Sequence, residues 1–268
     1  MNSVHNEPFF QVPRTKIPTI HGEIEQPTMY YDVSMLMAMF TTDYDRAAEK
    51  LDGLYLKPGL FWRGKVVVGI IFYEYRDTSI GPYNEVGLGI PALPVNQSLP
   101  LGGWLEMNKS VEKHRLGNYV LNLPVTTEIA CYGGREFFGY PKFVTEIPFH
   151  LDSRLERSFH GEVRDPNGGD AIVTLSGKLS SGIPGPSMSM VTYSVLNGKK
   201  LRTNIYVRGG GYMRGKGGLR LTVGTSDHEM ARNLRDLGLH GRQPFMVMDT
   251  HRFQSRLNAA KEFDWTVK

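Results

Sequence analysis

The sequence predicts a mainly β protein built on one large antiparallel sheet, closed or stacked on itself. Three observations predict it. Short runs rich in Val, Ile, Phe and Tyr recur along most of the chain, many in period two; Gly, Pro, Asn or Asp bounds each run; and only two segments carry a capped helical pattern. Strands this frequent, separated by turn residues, argue against alternating βαβ units.

Taken in order, the apolar or alternating runs place strands at 29–40, 65–75, 84–89, 119–123, 126–131, 143–151, 157–164, 170–179, 188–195, 201–207, 219–224 and 244–253. Between the first two, Asp43 can cap a helix ending near Leu51, with Ala47, Ala48 and Leu51 on one side and Gly53 just past the end. Late in the chain Ser226 can cap a second helix. There Met230, Leu234 and Leu237 recur at helical spacing, Glu229 completes a capping box and Gly238 marks the stop. The stretch 253–263 reads equally as a helix and as the end of a strand. The run SSGIPGP at 180–186 reads as a long loop between strands, and no repeat of fixed period is visible.

Composition places these elements in an ordinary globular chain: 268 residues, 40% hydrophobic, 11% aromatic and 22% charged. One domain over 1–268 is expected, with 1–27 as an extended N-terminal arm. The formal charge of +4 lacks the clustering of a nucleic-acid binder. Cys131 is the single cysteine, which excludes an intramolecular disulfide and a cysteine-built metal site, and it reads as a small buried hydrophobe in a strand-like run. Without a basic-then-apolar leader at the start or a long uninterrupted apolar run, the expectation is a soluble, cytoplasmic protein with no membrane partner.

Several chemistries lose their support at the level of motifs. Gly210 to Lys216 matches the first part of a phosphate-binding loop, but Gly217 stands where a Ser or Thr must reach magnesium, and a strand-like run follows where a helix is required. Arg208, Arg214, Lys216 and Arg220 make this stretch basic, yet Tyr212 is its only aromatic, so a flexible hairpin tip is the expectation. The eight histidines show no metal-ligand spacing, although His228, His240 and His251 are free to meet in space. No Gly-x-Ser-x-Gly occurs.

The informative segments are GGREFFGYPK at 133–142 and DTSIGPYNE at 77–85. Lys142 follows Pro141 and sits among Phe137, Phe138, Tyr140, Phe143 and Val144, with no carboxylate adjacent in sequence. Desolvation disfavours the charged form of a lysine, and a neutral amine is a nucleophile for carbonyl carbon. The plainer reading has Lys142 snorkelling from a strand end while Arg135 and Glu136 form a structural ion pair.

The run GREFFGYPK resembles the signature of the acetoacetate decarboxylase family, whose lysine forms a Schiff base with a ketone. Tyr83 and Glu85 fall at the spacing of the family's upstream Tyr-x-Glu motif, FTTDYDRAAEKL from Phe40 is similar to its early helix, and DHEMARNLRDLGL at 227–239 to its late one. The family is itself the standard example of a lysine made nucleophilic by desolvation or a cationic neighbour. The resemblance implies an α+β fold, mainly β, whose antiparallel sheet curls into a barrel or cone with a few peripheral helices. It implies Lys142 as the Schiff-base lysine, Glu85 as the carboxylate that handles protons, Tyr83 and Tyr140 as pocket walls or donors, and Arg135 and Glu136 as structural members of the motif. It also implies no metal or organic cofactor, a small oxo acid as substrate and a homo-oligomer.

Three departures from the family pattern bear on the substrate. Phe143 replaces a second lysine, an expected arginine falls near Val33 and an expected glutamate near Ile71. The pocket formed by Tyr31, Val33, Ile71, Phe138 and Phe143 would then be apolar, suited to a longer or aromatic 3-oxo acid. The same lysine would also serve a pyruvate aldolase-dehydratase or hydratase. A catalytically silent binding or assembly protein is the reading from outside enzymology.

Overall fold

The run from Met29 is apolar at almost every position because the strand it forms is buried on both faces. The computed structural model describes residues 3–266. Seven strands close a barrel: β1 (Thr28–Thr42), β2 (Lys65–Thr78), β3 (Tyr83–Pro94), β4 (Gly117–Asn122), β5 (Met190–Leu196), β6 (Lys199–Arg208) and β7 (Met246–Leu257). Successive strands pair antiparallel except β4 with β5, which run parallel and meet at Asn118 with Thr192 and Tyr119 with Tyr193. Pairing of β7 with both β6 and β1 completes the ring. A closed barrel leaves no edge among these strands.

Because successive side chains on a strand point to opposite faces, β1 sends Met35, Met37 and Met39 into the barrel and Leu36, Ala38 and Phe40 outward. The outward set, with Val66, Val68, Ile70 and Phe72 of β2, packs against a second antiparallel sheet of four strands: Phe149–Asp152, Ser158–Val163, Val173–Lys178 and Arg220–Val223. The main core therefore lies between the barrel wall and this sheet, and the barrel interior is left as a cavity.

Among the described residues three α-helices lie outside the barrel strands: α1 (Tyr44–Glu49), α2 (Glu128–Phe138) and α3 (Glu229–Asp236). Asp43 stands at the α1 N-terminus, but its carboxylate pairs with Lys65 at 2.8 Å rather than capping the helix. The cap of α3 is His228, whose ring accepts from the Met230 N–H; Ser226 lies earlier and accepts from the His228 N–H.

The strand expected at 126–131 is instead the N-cap and first turn of α2. Ile, Cys and Tyr there carry β preference, and two glycines weaken helix propensity. Packing overrides both, since a Cβ on Gly133 would press on Ile24 and one on Gly134 would overlap the Lys142 stem. The strand expected at 143–151 forms only at Phe149–Asp152, after Pro148, with one isolated bridge from Val144 to Val125 before it. The stretch 253–263 resolves as the end of β7 and a short strand, Lys261–Glu262.

The N-terminal arm is more structured than an extended segment. It contains two short turns of 3-10 helix and a hairpin of Thr15–Thr19 with Gly22–Gln26, while residues 1 and 2 lie outside the described residues. The run 180–186 is also no simple loop, because Gly182–Gly185 pairs with Gly211–Arg214.

That pairing corrects the reading of 209–218 as a flexible tip. Arg214 is buried and ion-paired to the buried Asp249 of β7, and it donates to the carbonyls of Ser180 at 2.6 Å and Ser153 at 3.0 Å. Asp249 accepts from the Ser153 hydroxyl at 2.6 Å. Gly211 is glycine because its backbone lies against the Asp249 carbonyl, where no Cβ fits. Asp249→Asn leaves the guanidinium buried without its counter-charge, so urea unfolding is expected to show a loss of about 3 kcal/mol or more. A loss under about 1 kcal/mol would mark the pair as replaceable.

Candidate active site

The signature segment is built by one helix and the turn that ends it. Gly139 closes α2 in the left-handed conformation at φ 63°, and the N–H groups of Gly139 and Tyr140 return to the carbonyls of Arg135 and Gly134. Beyond the turn the chain is extended: the Leu123 N–H donates to the Pro141 carbonyl at 3.1 Å and the Val125 N–H to the Phe143 carbonyl at 2.9 Å. Lys142 passes over Gly134 into the barrel. A side chain at Gly134 would occupy the volume that the Cδ and Cε atoms of Lys142 fill, which ties the glycine of the motif to its lysine.

Lys142 Nζ donates to Glu85 Oε2 at 2.5 Å, and both residues are buried at the edge of the cavity. Glu85 projects inward from β3, and its other oxygen accepts from the Tyr75 hydroxyl at 3.2 Å. Tyr30 and Tyr83 share a hydroxyl contact at 3.3 Å, and the Tyr83 ring lies 5.8 Å from Lys142 Nζ. Tyr140 bonds Thr192 at 2.6 Å and stacks on Phe138 at 5.4 Å. Burial raises the hydroxyl pKa of Tyr30, Tyr73, Tyr75 and Tyr83, and the Glu85 charge adds to it. Burial likewise pushes Tyr140 up to about 12. All five are held neutral, so among the described residues the only charged groups at this end of the cavity are Lys142 and Glu85.

The cavity measures about 220 Å³. Lys142, Glu85, Tyr83, Tyr140, Phe138 and Ile71 border it, as do Tyr30, Tyr73 and Tyr75, which sequence reasoning missed. The signal for Tyr73 and Tyr75 is present in FYEYRD, where a hairpin to PYNE sets Tyr73 opposite Glu85 and Tyr75 opposite Tyr83.

Three expected wall residues are elsewhere. Tyr31 follows inward-facing Tyr30 and points outward, stacked on His5 and packed on Phe10. Phe143 follows inward-facing Lys142 and turns outward, its ring 4.3 Å from that of His228. Alternation along an extended chain explains both. Val33 is fully buried in the cluster with Tyr73, Tyr75 and Phe253 but does not reach the cavity surface. Arg135 and Glu136 are exposed on α2, and no ion pair joins them. Cys131 is buried as expected, though on a helix, and burial raises its thiol pKa.

Among the described residues no group of three or more His, Cys, Asp or Glu side chains is placed to hold a metal ion. His228, His240 and His251 do not gather: they bond the Met230 N–H, the Val223 backbone, and Ser34 with Ser153, respectively. No helix among the described residues is long and apolar enough to cross a membrane.

Fold and site together define a closed β-barrel with a buried lysine–carboxylate pair set in a shell of tyrosines at the edge of an apolar interior. The family model for acetoacetate decarboxylase (ADC) matches residues 11–231, and the chain belongs to that family. Solved structures share the fold at low identity. Acetoacetate decarboxylase from Legionella pneumophila subsp. pneumophila str. Philadelphia 1 is 15% identical, with 98% of each chain covered and a TM-score of 0.62. An acetoacetate decarboxylase-like enzyme from Sphingomonas wittichii RW1 is 14% identical over 90% of this chain and 94% of that one, TM-score 0.60. The enduracididine biosynthesis enzyme MppR, complexed with pyruvate, is 11% identical over 90% and 91%, TM-score 0.58. No curated protein matches the chain.

Proposed function

We propose that this protein is an imine-forming carbon–carbon lyase that decarboxylates a 3-oxo acid, with Lys142 as nucleophile and Glu85 as proton carrier. The observation that carries the reading is the 2.5 Å contact of Lys142 Nζ with Glu85 at the cavity edge. An amine and a carboxylate in hydrogen-bond reach are what nucleophilic catalysis with general acid–base assistance requires.

The amine passes a proton to Glu85 and attacks the ketone carbon. Glu85 gives that proton to the carbinolamine hydroxyl, which leaves as water and yields a protonated imine. The bond to the carboxylate carbon then breaks, its electron pair enters the iminium, carbon dioxide leaves and an enamine remains. Glu85 takes up a proton from water and delivers it to the enamine carbon, and water hydrolyses the resulting imine to release a ketone one carbon shorter and the free amine. The pair of opposite charges on the imine intermediate cancels as carbon dioxide forms, so an apolar, cation-poor surrounding favours the step. Lys142 is the only lysine or arginine bordering the cavity among the described residues, which fits that account.

A second reading uses the same lysine and carboxylate on a different bond. In it a pyruvate imine loses a methyl proton to Glu85, and the enamine attacks an aldehyde. The structure of MppR complexed with a condensation product of pyruvate and an aldehyde shares this fold. Carbon dioxide release from 3-oxo acids, set against condensation with pyruvate and aldehydes, separates the two. The proposal includes a homo-oligomer, supported by family membership, and a cytoplasmic location, supported by the single free thiol.

Glu85→Gln keeps the side-chain shape and removes the proton carrier. Turnover is expected to fall by about two to four orders of magnitude, with the imine on Lys142 still trapped by borohydride, more slowly. Turnover within about threefold of the parent would remove Glu85 from the mechanism.

A further inference from the structure

We infer that the substrate carries a long unbranched apolar tail that runs down the barrel interior, away from Lys142 toward Leu60 and Met107. This rests on the imine-forming reading above. Strand register gives the cavity its cross-sections. Nearest Lys142, Met35, Tyr73 and Glu85 are neighbours across β1, β2 and β3; below them come Met37, Ile71 and Gly87, and then Met39, Gly69 and Gly89. The wall thus changes from tyrosine and carboxylate to methionine, isoleucine and glycine within four residues, about 13 Å at the rise of a strand. The methyl of acetoacetate would reach only the first of these layers.

The space below is not a packing accident. A Cβ built on Gly69 meets nothing within 4 Å, so no neighbouring atom requires glycine there and room remains. At about 220 Å³ the interior exceeds the roughly 150 Å³ engineered cavity that takes up benzene. Methionine is unbranched and adapts to what it packs against, which suits a flexible chain. At the far end Leu60, Val67 and Met107 give way to buried polar groups. Glu106 is ion-paired to Lys109 and Arg115, and His114 Nε2 bonds the Lys109 carbonyl at 3.0 Å. A tail long enough to reach them would lose the apolar gain, so the corridor sets an upper length.

The test is a series of linear 3-oxo acids from acetoacetate to 3-oxododecanoate, followed by carbon dioxide release and by borohydride trapping on Lys142. The parent is expected to gain about threefold in kcat/KM for each early methylene, then level off. Gly69→Leu, which fills the corridor, is expected to lower the ratio of long-acid to acetoacetate kcat/KM by about tenfold or more. Gly69→Ala gives a smaller drop and serves if the leucine variant melts early. Equal rates at all lengths, a preference for an aromatic 3-oxo acid, or an unchanged ratio in both variants overturns the tail while leaving the imine reading intact. No adduct from any length overturns the imine reading, and the tail with it.

Discussion

Lys142→Ala is expected to abolish borohydride trapping and to lower turnover by about six orders of magnitude, the scale seen when a covalent catalyst loses its nucleophile. The reason is chemical, because no other amine borders the cavity among the described residues. Neutral tyrosine hydroxyls can polarise a ketone but cannot hold it as an imine. The variant leaves Glu85 buried with Tyr75 as its remaining partner, so some stability is lost as well. Lys142→Met, which replaces much of the stem volume, should melt closer to the parent and still trap nothing. Peptide mass spectrometry after borohydride treatment with acetoacetate and larger oxo acids reads the result. An adduct that persists in both variants would place the imine on another residue.

Gly134→Ala is expected to be almost as damaging, although it alters no chemical group in the proposed reaction. Alanine favours a helix by about 1 kcal/mol over glycine, so α2 itself gains. The new methyl, however, falls where the Cδ and Cε of Lys142 lie. The lysine must swing aside, away from Glu85. A displacement of about 1 Å in a reacting group costs on the order of a hundredfold in rate, and that loss in kcat is the expected outcome, with circular dichroism unchanged. Full activity in this variant would show that the lysine reaches its partner by another path.

The strands were legible because barrel and outer sheet both need alternation or continuous apolar runs, and β1, β2 and β7 carried them plainly. What the sequence hid was the consequence of closure. A run such as MYYDV does not say which of two adjacent tyrosines faces inward, and a bulge in the register between Tyr30 and Val33 decides it for Tyr30. Phe143 was assigned to the wall for the same reason, by nearness in sequence to Lys142 rather than by parity. Helix α2 hid behind its glycines, whose value appears only when Ile24 and Lys142 are in place above them. The meeting of Lys142 with Glu85, by contrast, was visible in two short motifs, though only through resemblance to a family.

The ring of strands is fastened unevenly. Most neighbours share a long ladder, but β4 and β5 touch at two residue pairs. A hoop made this way behaves as a bracelet with a clasp, and local opening costs least where the fewest backbone bonds hold. One of the residues at the clasp, Thr192, also anchors the Tyr140 hydroxyl. Parting there would release the Tyr140 hydroxyl in the same motion, so the weakest seam of the barrel is tied to one wall of its chamber.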